Sequence, residues 1–185
     1  ISKDYPTVNR GEVLEIKMFS PVDIHIYDSE GRHTGPSLSQ KEKEEEFDIE
    51  SDLFTFIDEE IPNSSYSELM DVKTITVPRQ GTYTVKGIGT DAGVFTLQTS
   101  VDNKVISRYE DLPVLKESNL ELKIDPQKTH DLKIDIDNDA MFESSIKPNR
   151  KRYINKKSFL DFCKKILPYI KKHEYRKHIR SFLED

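Results

Sequence analysis

Residues 20–35 of this 185-residue chain read SPVDIHIYDSEGRHTG, and the run 22–27 within them decides the fold. Side chains in that run alternate in polarity with a period of two, which is typical of a strand with one buried face. The apolar face consists of Val22, Ile24 and Ile26. Gly31 then follows Asp28 in a turn, where glycine readily takes a positive φ. The stretch therefore predicts a strand that enters a tight turn.

Similar runs, rich in β-branched and aromatic residues, recur through residue 139 with turn signals between them. They lie at 13–19, 72–77, 82–88, 93–101, 105–109, 120–124 and 132–136, with 54–57 as a further candidate. No helical pattern separates them, which predicts a mainly β fold, an antiparallel β-sandwich of the jelly-roll or Ig-like kind. The turns carry finer expectations. They are a positive φ at Gly81, a tight primed turn at Asp102-Asn103, a hairpin loop at 89–93, an irregular segment at 61–66, and pairing of 122–125 with 132–135.

The chemistry of the chain changes after Pro148. Residues 150–185 carry 12 Lys and Arg against four acidic residues, which leaves a net charge of −14 on residues 1–149. Apolar residues in this tail recur at helical spacing, and Pro168 either bends the helix or begins a second one. The sequence thus predicts a sandwich domain at 1–147 and a basic helical appendage at 148–185, formed by a helical pair or a kinked helix.

Composition narrows the setting of the protein. Hydrophobic and charged residues make up 35% and 34% of the chain, and nine Phe and eight Tyr supply material for a core. No run approaches the roughly 20 apolar residues of a membrane helix. The single Cys163 excludes an internal disulfide and a multi-cysteine zinc site. A chain that begins at Ile1 without an apolar leader is expected to be a mature product or a piece of a longer polypeptide.

Residues 20–35 also raise the question of catalysis, because they hold two His, two Asp, an Arg and two Ser. A nucleophilic triad needs a hydroxyl, a base within hydrogen-bond reach and an orienting acid. No G-x-S-x-G elbow occurs in the sequence. We therefore predict the wet polar surface of a strand and assign no catalytic residue. A small hydrolase built around Asp23, His25 and His33 remains an alternative.

The run 135–139, DIDND, suggests calcium, since alternate carboxylates supply the oxygen ligands that this ion prefers. It is not an EF-hand, because the positions that require Gly and Glu hold Ala140 and Ile146. A calcium site of another type would use Asp135, Asp137 and Asp139. The alternative is a strand that ends in an acidic loop. No other cofactor is expected.

Several motifs resemble known modules. The stretch 20–35, the segment 61–66 and the pair Gly-x-Tyr-x-Val (81–85) and Gly-x-Phe-x-Leu (93–97) resemble β-sandwich accessory modules of secreted or surface-exposed bacterial and archaeal proteins. The Gly-x-Tyr…Gly-x-Phe part is similar to pre-peptidase C-terminal domains, and the match spans about residues 11–101. In that picture Tyr83 and Phe95 form a cross-strand aromatic pair in the core. The resemblance implies a non-catalytic role beside a parent protein that is often a hydrolase.

These observations predict a binding or spacing module of a larger extracellular or cell-envelope protein. Its partners would be other domains of the parent, a protein or a surface polymer, and the candidate ligand contacts are Tyr27, Arg32 and His33. Nucleic acid is not expected, because the aromatic residues of the basic tail fall mainly on its apolar stripe. A second alternative is a scaffolding module whose basic tail binds an acidic partner.

Overall fold

A computed structural model of the chain describes residues 12–19, 21–38, 55–125 and 130–148. About 63% of these residues lie in strands, and they contain no helix. The strands are β1 (Val13–Phe19), β2 (Val22–Asp28), β3 (His33–Pro36), β4 (Ile57–Glu59), β5 (Ser65–Leu69), β6 (Val72–Pro78), β7 (Tyr83–Gly89), β8 (Gly93–Val101), β9 (Lys104–Val114), β10 (Asn119–Ile124), β11 (Leu132–Asp135) and β12 (Ser144–Ile146). The predicted mainly β class is confirmed.

The strands form two antiparallel sheets. One has five strands in the order β5-β6-β1-β8-β9, and the other has seven in the order β12-β11-β10-β7-β2-β3-β4. The strands that carry the two similar runs, β10 and β11, pair with each other as predicted. The register, however, joins residues 119–121 to 133–135 and includes no residue of the run 122–125. The sheets are consistent with the predicted sandwich.

Alternation explains how the two sheets share one core. Every second residue of β1 is buried, and so are the apolar residues of β2. Burying each aliphatic side chain of this kind contributes about 1.5–3 kcal/mol relative to leaving it in water. A single cluster of buried side chains draws on strands of both sheets, which include β1, β2, β6, β7, β8 and β10. The core therefore lies between the sheets.

Two turns take the conformations that the sequence predicts. Gly31 has φ of 82°, and the amide of Gly31 donates to the carbonyl of Asp28. Asp102 and Asn103 have φ of 49° and 63°, as a primed two-residue turn between β8 and β9 requires. Gly81 is not among the described residues with positive φ, so that expectation is wrong. A Cβ at Gly81 would instead overlap the ring of Tyr83, which packs back over the turn.

The pairing of Tyr83 with Phe95 is also corrected. Both side chains are buried, at 3% and 1% exposure. Tyr83 lies on β7 of the seven-stranded sheet, however, and Phe95 lies on β8 of the five-stranded sheet. The segment 89–93 carries the chain from one sheet to the other and does not close a hairpin. The two aromatic residues therefore enter the core from opposite sheets.

Four short strands differ in presence or position from the sequence-based expectations. β3 and β12 were not predicted, and β5 begins inside the segment expected to be irregular. β4 covers Ile57–Glu59 and shares only Ile57 with the described part of the predicted run 54–57. These strands are three to five residues long, too short to show a clear period, and β5 is largely exposed. β9 extends to Val114, well beyond the predicted 105–109.

Gly89 provides a direct test of the packing between β7 and the segment after β9. A Cβ there would overlap the carbonyl oxygen of Leu115 and lie 2.8 Å from Cγ2 of Val114. We expect Gly89→Ala to destabilise the fold by about 1–3 kcal/mol, because backbone must move to relieve the overlap. Gly93→Ala is the matched control, since its Cβ would meet only the ring of Pro21, at 3.1 Å. Urea denaturation of both variants measures the difference, and equal losses would contradict this packing.

The predicted helical appendage at 148–185 lies almost wholly outside the described residues, as do Cys163 and Pro168. Among the described residues, no helix is long and apolar enough to cross a membrane.

Candidate functional site

Three rings from the described part of the chemistry-rich stretch, residues 21–35, lie in a row on one face of the seven-stranded sheet. Tyr27 on β2 is the register partner of His33 on β3, and His25 lies diagonally across from His33. The rings of His25 and His33 stack with centroids 5.2 Å apart, and those of Tyr27 and His33 with centroids 5.0 Å apart. This face is opposite to the one that buries the apolar residues of β2, in keeping with strand alternation.

The two imidazoles are hydrogen-bonded to each other and buried. Nδ1 of His25 lies 3.0 Å from Nε2 of His33, and the residues are only 4% and 5% exposed. The other ring nitrogen of His33, Nδ1, lies 3.4 Å from Oδ2 of Asp58 on β4. The expected wet strand surface is therefore wrong at His25 and His33, which belong to a buried polar network of Asp58, His33 and His25.

Close approach of the backbone explains this burial. Gly35 of β3 has φ of 148°, and a Cβ there would lie 2.7 Å from the carbonyl oxygen of Ile24 and 3.2 Å from Cα of His25. Glycine therefore allows β3 to approach the backbone of β2 closely beside His25. From the other side, Oε2 of Glu60 accepts a hydrogen bond from the amide of His33 at 3.0 Å. The short strand β3 is thus held against β2 and against the segment of β4.

The surroundings of His25 keep its imidazole uncharged near neutral pH. The pKa of His25 is lowered from 6.5 to about 4, chiefly by burial and next by the neighbouring His33. Carboxylates of Asp23 and Asp58 raise it, but their effect is smaller. A neutral imidazole can donate one hydrogen bond and accept one, as the contact with His33 requires.

Asp23 is engaged elsewhere. Nζ of the buried Lys73 donates to Oδ1 of Asp23 at 2.6 Å and to the carbonyl oxygen of Val22 at 3.2 Å. Lys73 lies on β6 of the five-stranded sheet, so this contact joins the two sheets. The structure therefore brings His25 and His33 together, and the carboxylate that contacts His33 is Asp58, a residue that the sequence analysis did not select.

The candidate ligand contacts occupy different environments. The ring of Tyr27 stacks on His33 and also contacts Nζ of Lys86, 5.1 Å from the ring centroid. Arg32 instead lies over the turn, where its Nε donates to Oδ2 of Asp28 at 2.7 Å. Oδ1 of that carboxylate accepts from the amides of Glu30 and Arg32, which explains the conformation of the turn. The role of Tyr27, Arg32 and His33 in ligand binding stays a prediction.

A second cluster lies after β11. The three predicted calcium ligands come together there with a fourth acid, Glu143, and one ligand atom of each lies within 4.8 Å of the others. Asp135 and Asp137 are buried, at 2% and 0% exposure. Glu143 was missed because it lies outside the alternating run. It reaches the three aspartates only because the chain turns back towards β12. Its single sequence signal is an acidic residue eight positions after Asp135.

Comparisons with protein-family models, curated proteins and solved structures found no match to this chain. The resemblance to pre-peptidase C-terminal domains therefore stays a prediction.

Proposed function

We propose that this chain is a non-catalytic accessory module of a larger extracellular or envelope-associated protein. It acts by contact with another domain of that protein, with a partner protein or with a surface polymer. The proposal includes a jelly-roll or Ig-like sandwich, as in pre-peptidase C-terminal-type modules, with a basic helical appendage at 148–185. The parent protein, and not this module, supplies any hydrolytic activity.

One observation carries the non-catalytic part of the proposal. Both ring nitrogens of His33 are engaged, Nε2 with His25 and Nδ1 with Asp58. A general base needs a free ring nitrogen within about 2.6–3.2 Å of the hydroxyl or water that it activates. His25, whose pKa is lowered to about 4 mainly by burial, is a weak base. These properties favour a structural role for the imidazoles over a catalytic one.

The surface around Tyr27 supports the binding part. Tyr27 and Arg32 are half-exposed, and Lys86 on the neighbouring strand is exposed. Tyr27 presents an aromatic ring and Lys86 a cation, which suit a partner with hydroxyl or carboxylate groups. The guanidinium of Arg32 is paired with Asp28 and Glu30. The chain contains no Trp, so we expect ionic and hydrogen-bonding contacts to contribute more than sugar stacking.

Binding of the full chain to a panel of immobilised polysaccharides and surface proteins tests this proposal. Tyr27→Ala should weaken binding to the recognised member at least about tenfold, as loss of a central aromatic contact usually does. Tyr66→Ala is the matched control, because Tyr66 lies on β5 of the other sheet. Equal binding by wild type and Tyr27→Ala would contradict the assignment of this surface.

The two rival functions are decided by separate assays. Hydrolysis of ester, amide or glycoside substrates by the wild-type chain, abolished in His33→Gln, would establish the hydrolase in place of the accessory module. The scaffolding rival depends on the basic tail. Binding of an acidic protein that weakens with salt and is lost when residues 150–185 are removed would favour that rival.

A further inference from the structure

The loop that follows β11 folds four acidic side chains onto one point. Asn138 and Ala140 take left-handed conformations there, with φ of 54° and 68°, so the chain turns sharply between the alternate aspartates. One ligand atom from each of four carboxylates lies within 4.8 Å of the others, and these are Asp135, Asp137, Asp139 and Glu143. Four carboxylates this close repel one another strongly when ionised, unless a cation lies among them.

A second observation points to a ligand at the same place. Asp137 has no exposed surface, and its Oδ1 is buried without a hydrogen bond. Oδ2 of Asp139 is buried in the same way. Both residues have other interactions; Oδ1 of Asp139, for example, accepts from the amide of Met141 at 2.9 Å. One oxygen of each of these two carboxylates is therefore buried without a hydrogen bond. Burying a carboxylate oxygen without a donor or a cation costs free energy.

Three further oxygens of the cluster accept hydrogen bonds from backbone amides. Asp135 accepts through Oδ1 from the amide of Asp139 at 3.2 Å and through Oδ2 from that of Ala140 at 3.0 Å. Oε2 of Glu143 accepts from the amide of Ile136 at 2.7 Å. The carboxylates are therefore fixed in position before any ion binds.

We propose that Asp135, Asp137, Asp139 and Glu143 form a Ca²⁺ site at the edge of the seven-stranded sheet. All four ligands are oxygens, which a hard cation prefers, and no His or Cys belongs to the cluster to favour zinc or copper. Ca²⁺ accepts six to eight oxygens in flexible geometry, whereas Mg²⁺ demands a near-ideal octahedron and retains waters. Carboxylates that converge from an irregular loop fit the flexible coordination of Ca²⁺ better than the strict octahedron of Mg²⁺.

Binding at this site would order the sheet edge. Nδ2 of Asn119 on β10 lies 2.6 Å from Oδ1 of Asn138, and Oγ of Ser118 donates to the carbonyl oxygen of Ile136 at 2.9 Å. The loop therefore connects β10 to the two outermost strands, β11 and β12. An ion bound there stabilises that edge in the folded state only, and so raises the melting temperature. The proposed Ca²⁺ site does not depend on the proposed binding surface around Tyr27.

Calorimetric and thermal titrations of the full chain, first stripped with a chelator, test the proposal. We expect saturable Ca²⁺ binding with a Kd on the order of 1 mM or tighter, in the range of extracellular modules. At a tenfold excess over that Kd, about 10 mM Ca²⁺, the melting temperature should rise by about 3–6 °C. Mg²⁺ at the same concentration should produce a clearly smaller rise.

Two variants and one control identify the ligands. Asp137→Asn should weaken Ca²⁺ binding at least about tenfold and remove the thermal shift. Without Ca²⁺ its melting temperature should match or exceed that of the wild type, because one repelling charge is gone. Glu143→Gln should also lose the Ca²⁺-induced rise in melting temperature. This second variant tests the same site at a ligand that is partly exposed. Asp102→Asn is the matched control, since Asp102 is exposed in a turn that Asn tolerates.

The wild-type titration is decisive even if a variant fails to fold. Absence of binding heat and of a thermal shift at about 10 mM Ca²⁺ would overturn the proposal. So would an equal loss of binding in Asp102→Asn and Asp137→Asn. An equal or larger response to Mg²⁺ would overturn the assignment of calcium.

Discussion

The free energy of unfolding is expected to fall by roughly 3 kcal/mol as the pH is lowered from about 7 to about 4, because of His25 alone. Burial, and next His33, lowers the pKa of His25 from 6.5 to about 4 in the folded state. Between these values the unfolded chain binds a proton that the folded chain does not. Protonation therefore favours unfolding, and the contribution is complete above pH 6.5 and lost as the pH approaches 4.

Substitution of His25 isolates this effect. His25→Gln should be less stable near neutral pH, since it disturbs the hydrogen bond to His33. Its stability should nevertheless change much less between about pH 6.5 and about pH 4. His130→Gln is the control, because His130 lies apart from the network, 2.8 Å from Asp125. Urea titrations at several pH values measure the slopes, and an unchanged slope in His25→Gln would contradict the assignment.

Replacement of Ile16 by Ala is expected to cost about 2–5 kcal/mol of folding free energy. Ile16 is fully buried on β1, the middle strand of the five-stranded sheet, and its register partners are Ile75 on β6 and Thr99 on β8. This loss of stability has two causes. The variant loses the apolar contacts of the Ile16 side chain, and it leaves a cavity that the neighbouring strands cannot close. Such a loss is a large part of the 5–15 kcal/mol that stabilises a typical domain.

Ile106→Ala provides the comparison for Ile16. Ile106 has the same side chain and also lies in a strand, but β9 is a sheet edge and this residue is 44% exposed. Its truncation should change stability by about 0.5 kcal/mol or less. Chemical denaturation of both variants under one condition gives the two values. Similar losses at the two positions would contradict the placement of β1 in the centre of the core.

The long strands were predictable because one buried face imposes a period of two on seven or more residues. β1, β2 and β6 show that period, and the structure confirms all three. The same rule fails for β3, β4 and β12, which are three or four residues long and carry no full period. Pairing across the fold was harder still. Tyr83 and Phe95 share a motif in the sequence, yet the loop between them crosses from one sheet to the other.

The histidine network shows why the candidate site was only partly predictable. Alternation correctly placed His25 on the face opposite Ile24 and Ile26, and polar faces are usually solvated. Its burial depends on Gly35, whose missing Cβ lets β3 approach, and on Asp58, which is 25 positions beyond His33. Neither relation leaves a local pattern in the sequence. The acidic loop was easier, because three of its four carboxylates are alternate residues of one short run.

An NMR titration of the imidazole nitrogens of His25 and His33 in the full chain tests their burial most directly. The buried network of His25 and His33 is a structural feature and not an exposed reactive site. This burial predicts that His25 stays neutral down to about pH 4 and that its Nδ1 shares a hydrogen bond with Nε2 of His33. Titration of His25 near 6.5, with both rings open to solvent exchange, would contradict it.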